Sequence, residues 1–446
     1  MAEQKLGGLR LAAYAAPGMP EAMILYCAAM VIPGFFTAEV GLSTAFVGMV
    51  YLVSRLFDAA TDLGIGYLSD RTTSPIGRRK PWLIAGTVLS VVSVFYLYHP
   101  AETNPGTRYA VATFALYLGW TMAIVPYDAW GAELSTDHTT RNNIFTFRAV
   151  AYFGGSLLFL MTPLLPGFSG EFDRETLHYS TYLVAGSFIF ATFIAVVFVP
   201  DGDSGLHTAA PTLKGMLKTL GTNRPLQYFV GLFLLGGVSL GISLALVYFY
   251  VNTYLGLEDK FAAILVLYVL ANLAAVPFWY WVMRKVEKHK AWSVGLFIQG
   301  ICYPPLIFLT PDNPNAFVIL ASVVFLAGFT YAITDIVMKS LLSDVIDHDM
   351  MQTGENHSAS IFAIANLMRK LNVAIGGFFA YMMLSWFNYD PEQAVNSPEA
   401  VLYGLKFTYL ILPAFFSSAG ALMLWYFPIN RRRHDIILKR LASRAT

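Results

Sequence analysis

The sequence predicts an all-α membrane protein with twelve transmembrane helices in two six-helix halves. Of its 446 residues, 56% are hydrophobic and only 13% are charged, whereas a soluble chain carries about a quarter charged residues. A helix needs about 20 predominantly apolar residues to cross the hydrocarbon core of a bilayer. The chain divides into roughly twelve such runs, and one long polar connector separates them into two equal groups. Most of the sequence therefore cannot face water.

The predicted spans lie on both sides of that connector. The first six lie near 12–40, 44–68, 81–99, 108–134, 142–166 and 178–200, and the second six near 225–253, 260–284, 291–311, 316–342, 358–387 and 401–428. These spans predict a six-helix bundle over 1–200, a central cytoplasmic loop over 201–224, a second six-helix bundle over 225–428 and a cytoplasmic tail over 429–446. Six spans plus six are typical of the major facilitator fold, whose halves are structural repeats.

Lysine and arginine in the short loops predict the orientation, because cytoplasmic loops carry an excess of these residues. With the N-terminus in the cytoplasm, the predicted cytoplasmic loops and tail contain Arg71, Arg78, Arg79, Lys80, Arg141, Lys214, Lys218, Arg224, Arg284, Lys285, Lys288, Lys290, Arg431, Arg432, Arg433, Lys439, Arg440 and Arg444. The opposite face then keeps Arg108, Arg174 and Lys260. We therefore predict that both termini are cytoplasmic.

Several classes of function lack their sequence signals. The chain contains no metal-binding motif, P-loop, dinucleotide fingerprint or nucleophile elbow, so we expect neither an enzyme nor an ATP-driven pump. The formal net charge of +1 indicates no basic surface for nucleic acid, and we expect no such partner. Cys27 and Cys302 lie in apolar runs without metal-ligand spacing. They predict inert, buried thiols, and we expect no resident cofactor.

The second predicted span contains several charges, and a charge in a spanning helix needs a partner or a function. Asp58 and Asp62 are four residues apart in YLVSRLFDAATDLGIGYLSD, so they lie on one helical face, one turn apart. Two stacked carboxylates repel each other unless a cation or a proton lies between them, which is the requirement of a coupling-ion site. The alternative is a structural salt bridge from Arg55, which would leave one acid unpaired.

The fourth predicted span carries Asp128 beside Tyr127 and Trp130 in LYLGWTMAIVPYDAWGAEL. A carboxylate accepts hydrogen bonds from sugar hydroxyl groups while an aromatic ring packs on the apolar face of the sugar, so this set predicts a substrate site. In the alternative, Trp130 anchors the helix at the membrane interface and Asp128 pairs with an arginine. Arg148, at the start of the fifth predicted span, is the candidate counter-charge for Asp128 or for the two aspartates of the second span.

Further charges lie in the first and eleventh predicted spans. Glu21 follows Pro17 and Pro20, and an acid beside an interrupted helix often lines a cavity; the alternative is a solvated residue at the cytoplasmic end. Arg369 and Lys370 are adjacent, so their side chains point about 100° apart and cannot both face one cavity.

Two features concern packing and connection. Gly-Gly pairs at 154–155, 236–237 and 376–377 predict close approaches between helices. The segment SDVIDHDMMQTGENHS, ahead of the eleventh span, is predicted to be an acidic loop whose carboxylates pair with the basic loops or with Arg369.

Three segments resemble the glycoside–pentoside–hexuronide:cation symporters, the melibiose permease-like family of the major facilitator superfamily. They are RLFDAATDLGIGYLSDRTTSPIGRRKPW, PYDAWGAELSTDHTTR and SDVIDHD. The likeness runs over the whole chain, and its most specific motif is the Asp-x-x-x-Asp pair ahead of the basic loop. The resemblance implies cation-coupled symport in a bacterial inner membrane.

The resemblance also implies a cation site. Asp58 and Asp62 match the family's cation-site carboxylates, which would bind the coupling cation, Na⁺ or H⁺; we expect no other metal. Thr121 matches a threonine that helps at that site, and Thr61 takes the place of an asparagine there.

For the substrate, the resemblance matches Glu21 to an acid that binds sugar, and Arg148 and Lys370 to basic residues of the cavity. One departure lies in the fourth span, where Ile124 stands at the position of a sugar-binding acid and Asp128 lies one turn later on the same face. The expected substrate-binding residues are Glu21, Trp120, Asp128, Trp130, Arg148 and Lys370.

The expected function is therefore cation-coupled symport of a sugar or glycoside by alternating access, by a monomer in the lipid bilayer. We expect a cytoplasmic gate that contains Asp70, Arg71, Arg78, Glu133 and Arg141. Three alternatives remain: transport of an acidic or sulfonated sugar, transport of a lysolipid, and a non-transporting membrane sensor.

Overall fold

The structure is a computed structural model, which describes residues 7–100, 103–135, 138–201, 213–355, 357–389 and 398–445. These residues form helices joined by short connections. Their contacts divide them into two units, one of residues 7–201 with Leu257–Val266 and one of residues 213–256 with 267–445.

The first unit contains six long helices among its described residues. They are α1 (Gly8–Ala38), α2 (Thr44–Arg71), α3 (Lys80–Tyr98), α4 (Pro105–Glu133), α5 (His138–Leu160) and α6 (Arg174–Phe198). Each overlaps the corresponding predicted span. α1 is interrupted at Ala16 and Pro17, and it contains a π-type turn at Cys27–Val31. The interruption lies one turn before Glu21, where the prolines predict it.

The second half of the chain forms eight helices in its described part. They are α7 (Leu213–Thr222), α8 (Arg224–Tyr254), α9 (Phe261–Lys285), α10 (Lys288–Cys302), α11 (Ala316–Thr353), α12 (Ser358–Trp386), α13 (Glu399–Trp425) and α14 (Arg431–Ala445). α7 lies within the predicted central loop, and α14 lies within the predicted tail.

The prediction of an acidic loop before α12 was wrong, because α11 continues to Thr353. Two of the acids are buried on this helix and have polar or charged partners. Asp344 pairs with Lys288 of the basic segment before α10 at 2.7 Å, and Asp349 accepts a hydrogen bond from Asn223 at 3.1 Å. These partners come from distant parts of the chain, so the acids do not need a solvated loop.

Eleven of the helices are long and apolar enough to cross a membrane, in the part of the chain that the structure describes. The remaining predicted span is the second one, α2, which has the necessary length of 28 residues. Its interior charges, including Arg55, Asp58 and Asp62, lower its average hydropathy. The one predicted span that falls outside these eleven apolar helices is therefore the one that carries the predicted cation site.

The predicted glycine pairs bring helices close together through one member of each pair. A Cβ atom on Gly155 would lie 2.2 Å from the carbonyl oxygen of Met19, and one on Gly376 would lie 2.4 Å from the carbonyl oxygen of Val238. A Cβ on Gly154 would meet nothing within 4 Å. Gly155 therefore sets the distance between α1 and α5, the helices that carry Glu21 and Arg148.

Candidate functional site

Two carboxylates of α2 meet a hydroxyl group of α4, and we call Asp58, Asp62 and Thr121 the carboxylate cluster. Asp58 is 2% exposed, and Asp62 is half-buried. The Oγ1 atom of Thr121 lies 2.6 Å from Oδ1 of Asp58 and 3.3 Å from Oδ1 of Asp62. A hydroxyl has one proton and donates to one acceptor at a time. Oxygen atoms from two helices therefore converge on one point, as a small cation or a proton requires.

Arg55 lies one turn before this cluster on α2. Its guanidinium carbon lies 4.3 Å from the ring centroid of Tyr117 and 5.5 Å from that of Tyr51. Its Nε atom has no hydrogen-bond partner among the described residues. The two rings hold the guanidinium through cation–π contacts, so a positive charge lies close to Asp58.

Thr61 lies between the two aspartates in sequence, and its hydroxyl is engaged within α2. It lies 3.0 Å from the carbonyl oxygens of both Phe57 and Asp58. Such back-bonding to the preceding turn is common for threonine in a helix. A role for Thr61 in cation binding stays a prediction.

A second set of charges joins three helices, and we call Glu21, Asp128 and Arg148 the arginine cluster. On α5, Arg148 pairs with Glu21 of α1 at 3.0 Å through Nη2, and with Asp128 of α4 through Nη1. The side chains of Arg148 and Glu21 are 14% and 11% exposed, whereas that of Asp128 is 54% exposed. One guanidinium therefore pairs with a buried acid and an exposed acid at the same time. The pairing of Asp128 with an arginine, which was predicted as the alternative to a substrate role, is present with Arg148. A role of Asp128 in substrate binding stays a prediction.

Two tyrosines, Tyr14 and Tyr127, pack next to the arginine cluster. The hydroxyl of Tyr14 donates to the backbone carbonyl oxygen of Tyr127 at 3.1 Å. In return, the hydroxyl of Tyr127 donates to the backbone carbonyl oxygen of Tyr14. The ring of Tyr127 lies 4.5 Å from the guanidinium carbon of Arg148. These bonds join α1 to α4 and fix the plane on which the guanidinium lies. The sequence analysis did not identify Tyr14, since no local pattern marks it.

Trp130 lies in a packing position. It is 1% exposed, and its indole nitrogen donates to the carbonyl oxygen of Pro200 at 2.9 Å. Its ring contacts Tyr14 edge-on, and Lys80 lies 5.5 Å from its centroid. The tertiary contacts of Trp130 therefore orient α4 against its neighbours, and a contact with substrate stays a prediction.

A third set of charges links α2, α3 and α4, and we call Asp70, Arg78, Arg79 and Glu133 the Arg79 cluster. The Nη2 atom of Arg79 lies 2.5 Å from Asp70 and 2.6 Å from Glu133, and Nη1 donates to Ser69 at 2.7 Å. Arg78 also pairs with Glu133, at 2.8 Å. Burial lowers the pKa of Arg79, but the hydrogen bonds to Glu133 and Asp70 outweigh it, so the pKa is raised from its ordinary value.

Arg79 lies at the centre of this cluster and in the predicted gate loop DRTTSPIGRRK, although it is not one of the five residues predicted individually for the gate. A role of this cluster as a gate stays a prediction. The predicted gate residue Arg71 lies over the ring of Tyr67, with 3.6 Å between the guanidinium carbon and the centroid. Arg141 lies in α5, and its side chain is outside the described part of the structure.

Two more predicted substrate residues are not members of these clusters. Trp120 is half-buried on α4, two turns before the aspartate of the arginine cluster. Lys370 is half-buried on α12, in the second unit, and its neighbour Arg369 is exposed. Participation of Trp120 and Lys370 in the substrate site stays a prediction.

Residues 13–431 match the family model described as MFS/sugar transport protein. The chain is 24% identical to the glucuronide carrier protein homolog of Escherichia coli strain K12, over 93% of this chain and 91% of that protein. It is 23% identical to the putative glycoside/cation symporter YagG of the same organism, over 91% of this chain and 89% of that protein.

The fold is also similar to a solved transporter structure. A crystal structure of a mutant of the nucleoside transporter NupG matches with a TM-score of 0.71 at 12% identity, over 95% of this chain and all of that one. The similarity confirms the predicted all-α major facilitator fold. The family match over nearly the whole length confirms the sequence resemblance: the chain belongs to the glycoside–pentoside–hexuronide:cation symporter family of the major facilitator superfamily, a family of membrane transporters.

Proposed function

We propose that the protein is a secondary active transporter that carries a neutral sugar or glycoside together with a cation by alternating access. The observation that carries the choice of a neutral substrate is the charge balance of the arginine cluster. Two carboxylates share one guanidinium, so the net charge of the cluster is −1. What this cluster has in excess is hydrogen-bond acceptors, which suit the hydroxyl donors of a sugar.

In this proposal the carboxylate cluster binds the coupling cation. Asp58 and Asp62 supply the negative charge, and Thr121 supplies a hydroxyl oxygen within 3.3 Å of both carboxylates. When a cation enters, the hydroxyl turns a lone pair towards it and releases its hydrogen bond to Asp58. Both Na⁺ and H⁺ satisfy this requirement, because either cation removes the repulsion between the carboxylates.

The arginine cluster binds the substrate in the same proposal. Asp128 is the exposed member and accepts hydrogen bonds from sugar hydroxyls, while Arg148 holds its carboxylate in place. Glu21 balances the remaining charge of Arg148 from the buried side. Both clusters contain an acid of α2 or α1 and a residue of α4, so α4 is the element that carries Thr121 and Asp128 together. Movement of α4 on cation binding would therefore alter the substrate site. The resulting change in substrate affinity is the coupling free energy between the two sites.

The Arg79 cluster is the proposed cytoplasmic gate, on the side where we also place both termini. It joins the ends of α2 and α4, the same two helices that form the carboxylate cluster. A change at the cation site thus reaches the gate along both helices. The guanidinium of Arg79 donates hydrogen bonds to both Glu133 and Asp70, and these charge-assisted contacts give the proposed closed arrangement a defined geometry.

The first test measures sugar accumulation in proteoliposomes under an inward Na⁺ or H⁺ gradient. Asp58→Cys should abolish accumulation driven by the gradient, because one carboxylate alone provides weaker cation binding. The matched control is Asp201→Asn, which removes an acid whose side chain is 54% exposed and pairs with Lys80 at 3.5 Å; accumulation should persist. Accumulation by Asp58→Cys at the unmodified level would overturn the assignment of the cation site.

A second candidate substrate is an acidic sugar, and the similarity to a glucuronide carrier homolog favours it. An acidic sugar would have to replace Asp128 on Arg148. Asp128→Asn should therefore change binding affinity in opposite directions for a neutral and for an acidic substrate.

Calorimetric binding of neutral glycosides and of the corresponding uronic acids decides between them. If the substrate is neutral, Asp128→Asn should weaken binding about 10- to 100-fold, the worth of a hydrogen bond to a charged group. If the substrate is acidic, the same variant should bind more tightly, because Arg148 is released. Binding without uptake would instead indicate a sensor, and uptake of a lysolipid in place of any sugar would reassign the substrate.

A further inference from the structure

A groove lies on the exposed surface of the first unit between α3 and α4. It encloses a cavity of about 410 Å³. Its wall is formed by Leu89, Val92 and Tyr96 of α3 and by Arg108, Val111 and Ala115 of α4. At 1.5 Å per residue, each wall extends about 10 Å along its helix, a third of the hydrocarbon thickness of about 30 Å.

The two ends of the groove differ in chemistry. The part that lies along the two helices is apolar, and its side chains are exposed, with Val92 at 47% and Val111 at 64% exposure. The end at the connection between α3 and α4 is polar and contains Thr103, Asn104 and Thr107. A ligand of this groove is therefore amphipathic, with an apolar tail in the membrane and a polar group at the polar end.

Arg108 defines the charge of that polar group. Its guanidinium carbon lies 4.7 Å from the ring centroid of Tyr96, and its Nε atom is buried with no hydrogen-bond partner among the described residues. A buried donor on a charged group is costly to leave without an acceptor. The planar fork of a guanidinium matches the oxygens of a phosphate.

The other two basic residues on this predicted non-cytoplasmic face have acceptors already. Arg174 donates to the carbonyl oxygen of Glu39 at 3.4 Å, and Lys260 pairs with Asp259 at 2.5 Å. Arg108 differs from both, because its described contact is with an aromatic ring.

We propose that this groove binds an anionic phospholipid, with an acyl chain along α3 and α4 and the phosphate on Arg108. A net negative headgroup, such as that of phosphatidylglycerol, is favoured over a zwitterionic one. The ammonium group of a zwitterionic lipid compensates its own phosphate and would lie beside the guanidinium. The site is separate from the three clusters and holds a structural lipid rather than a transported one.

Native mass spectrometry of the full chain in neutral detergent, with equimolar phosphatidylglycerol and phosphatidylcholine, tests the proposal. The unmodified protein should retain phosphatidylglycerol with about tenfold preference, the worth of one charge-assisted contact. Arg108→Gln should lose this preference, and the matched control Arg174→Gln should keep it. Absence of preference in the unmodified protein, or equal loss in both variants, would overturn the assignment of the headgroup.

Two further arms test the groove itself. Val111→Trp fills the apolar part and leaves Arg108 in place, so retention of both lipids should fall; unchanged retention would show that the lipid lies elsewhere. Inorganic phosphate at the same concentration should not displace phosphatidylglycerol. Displacement by phosphate would reduce the site to a surface anion site without an acyl chain.

Discussion

The carboxylate cluster and the arginine cluster solve the same electrostatic problem in different ways. Each brings together two acids in or near the membrane-spanning part of the first unit. In the arginine cluster, a guanidinium pairs with both acids and belongs permanently to the protein. In the carboxylate cluster, the shared group is the uncharged hydroxyl of Thr121. The difference supports the proposal that the carboxylate cluster takes up the mobile cation and that the arginine cluster accepts hydrogen bonds from a neutral ligand.

The largest expected effect tests the permanent charge of the arginine cluster. Arg148→Gln leaves Glu21 without its guanidinium partner, and breaking a buried ion pair in this way costs about 3–5 kcal/mol. Loss of the ion pair with Asp128 contributes less to the loss of stability, because the side chain of Asp128 is 54% exposed and screened by solvent. Thermal unfolding in detergent should show a large loss of stability.

Two single variants provide the control for that experiment. Glu21→Gln should alter stability more than Asp128→Asn, because the side chain of Glu21 is 11% exposed. If Asp128→Asn proves the more damaging, the exposed acid is the structural partner and cannot be the primary acceptor for substrate.

An intermediate effect is expected for the hydroxyl of the carboxylate cluster. Thr121→Val keeps the shape of the side chain and removes the oxygen that lies near both carboxylates. A hydrogen bond to a charged group is worth about 1.5–3 kcal/mol, so cation affinity should fall about 10- to 100-fold. Protection from thermal unfolding by titrated Na⁺, or proton uptake on substrate binding, measures this affinity.

Thr61→Val is the matched control, because its hydroxyl bonds within its own helix. We expect less than a threefold change in cation affinity. A loss equal to that of Thr121→Val would place Thr61 at the cation site, as the resemblance implies.

The smallest expected effect comes from a packing change that should alter the arginine cluster and leave the carboxylate cluster unchanged. Gly155→Ala forces α1 away from α5, since its Cβ would lie 2.2 Å from the carbonyl oxygen of Met19. Overpacking of this kind costs about 1–3 kcal/mol. Substrate affinity should fall while cation affinity is unchanged, because α1 carries Glu21 and takes no part in the carboxylate cluster.

Gly154→Ala is the control for this variant, since its Cβ meets nothing within 4 Å. Both binding constants should stay at the unmodified level. A loss of cation affinity in Gly155→Ala would show that the two clusters share a mechanical support and would weaken the contrast between them.

Some elements of the site could be predicted because their causes are local. The spacing of Asp58 and Asp62 places both on one face of α2 whatever surrounds the helix. The interruption of α1 follows from its own prolines. The acidic segment before α12 was misassigned for the opposite reason, since it is helical to Thr353 and its Asp344 is paired with Lys288, a residue distant in sequence.

The sequence by itself determined the membrane-spanning character, the helices and the intramembrane charges, because apolar run length and helical periodicity are properties of neighbouring residues. Only the tertiary structure decided which of these charges meet. Arg78 and Arg79 are equivalent in the sequence, yet Arg79 is the one whose guanidinium is buried between Asp70 and Glu133. Packing of helices fixes such contacts, because a side chain reaches across only where small residues let two backbones approach.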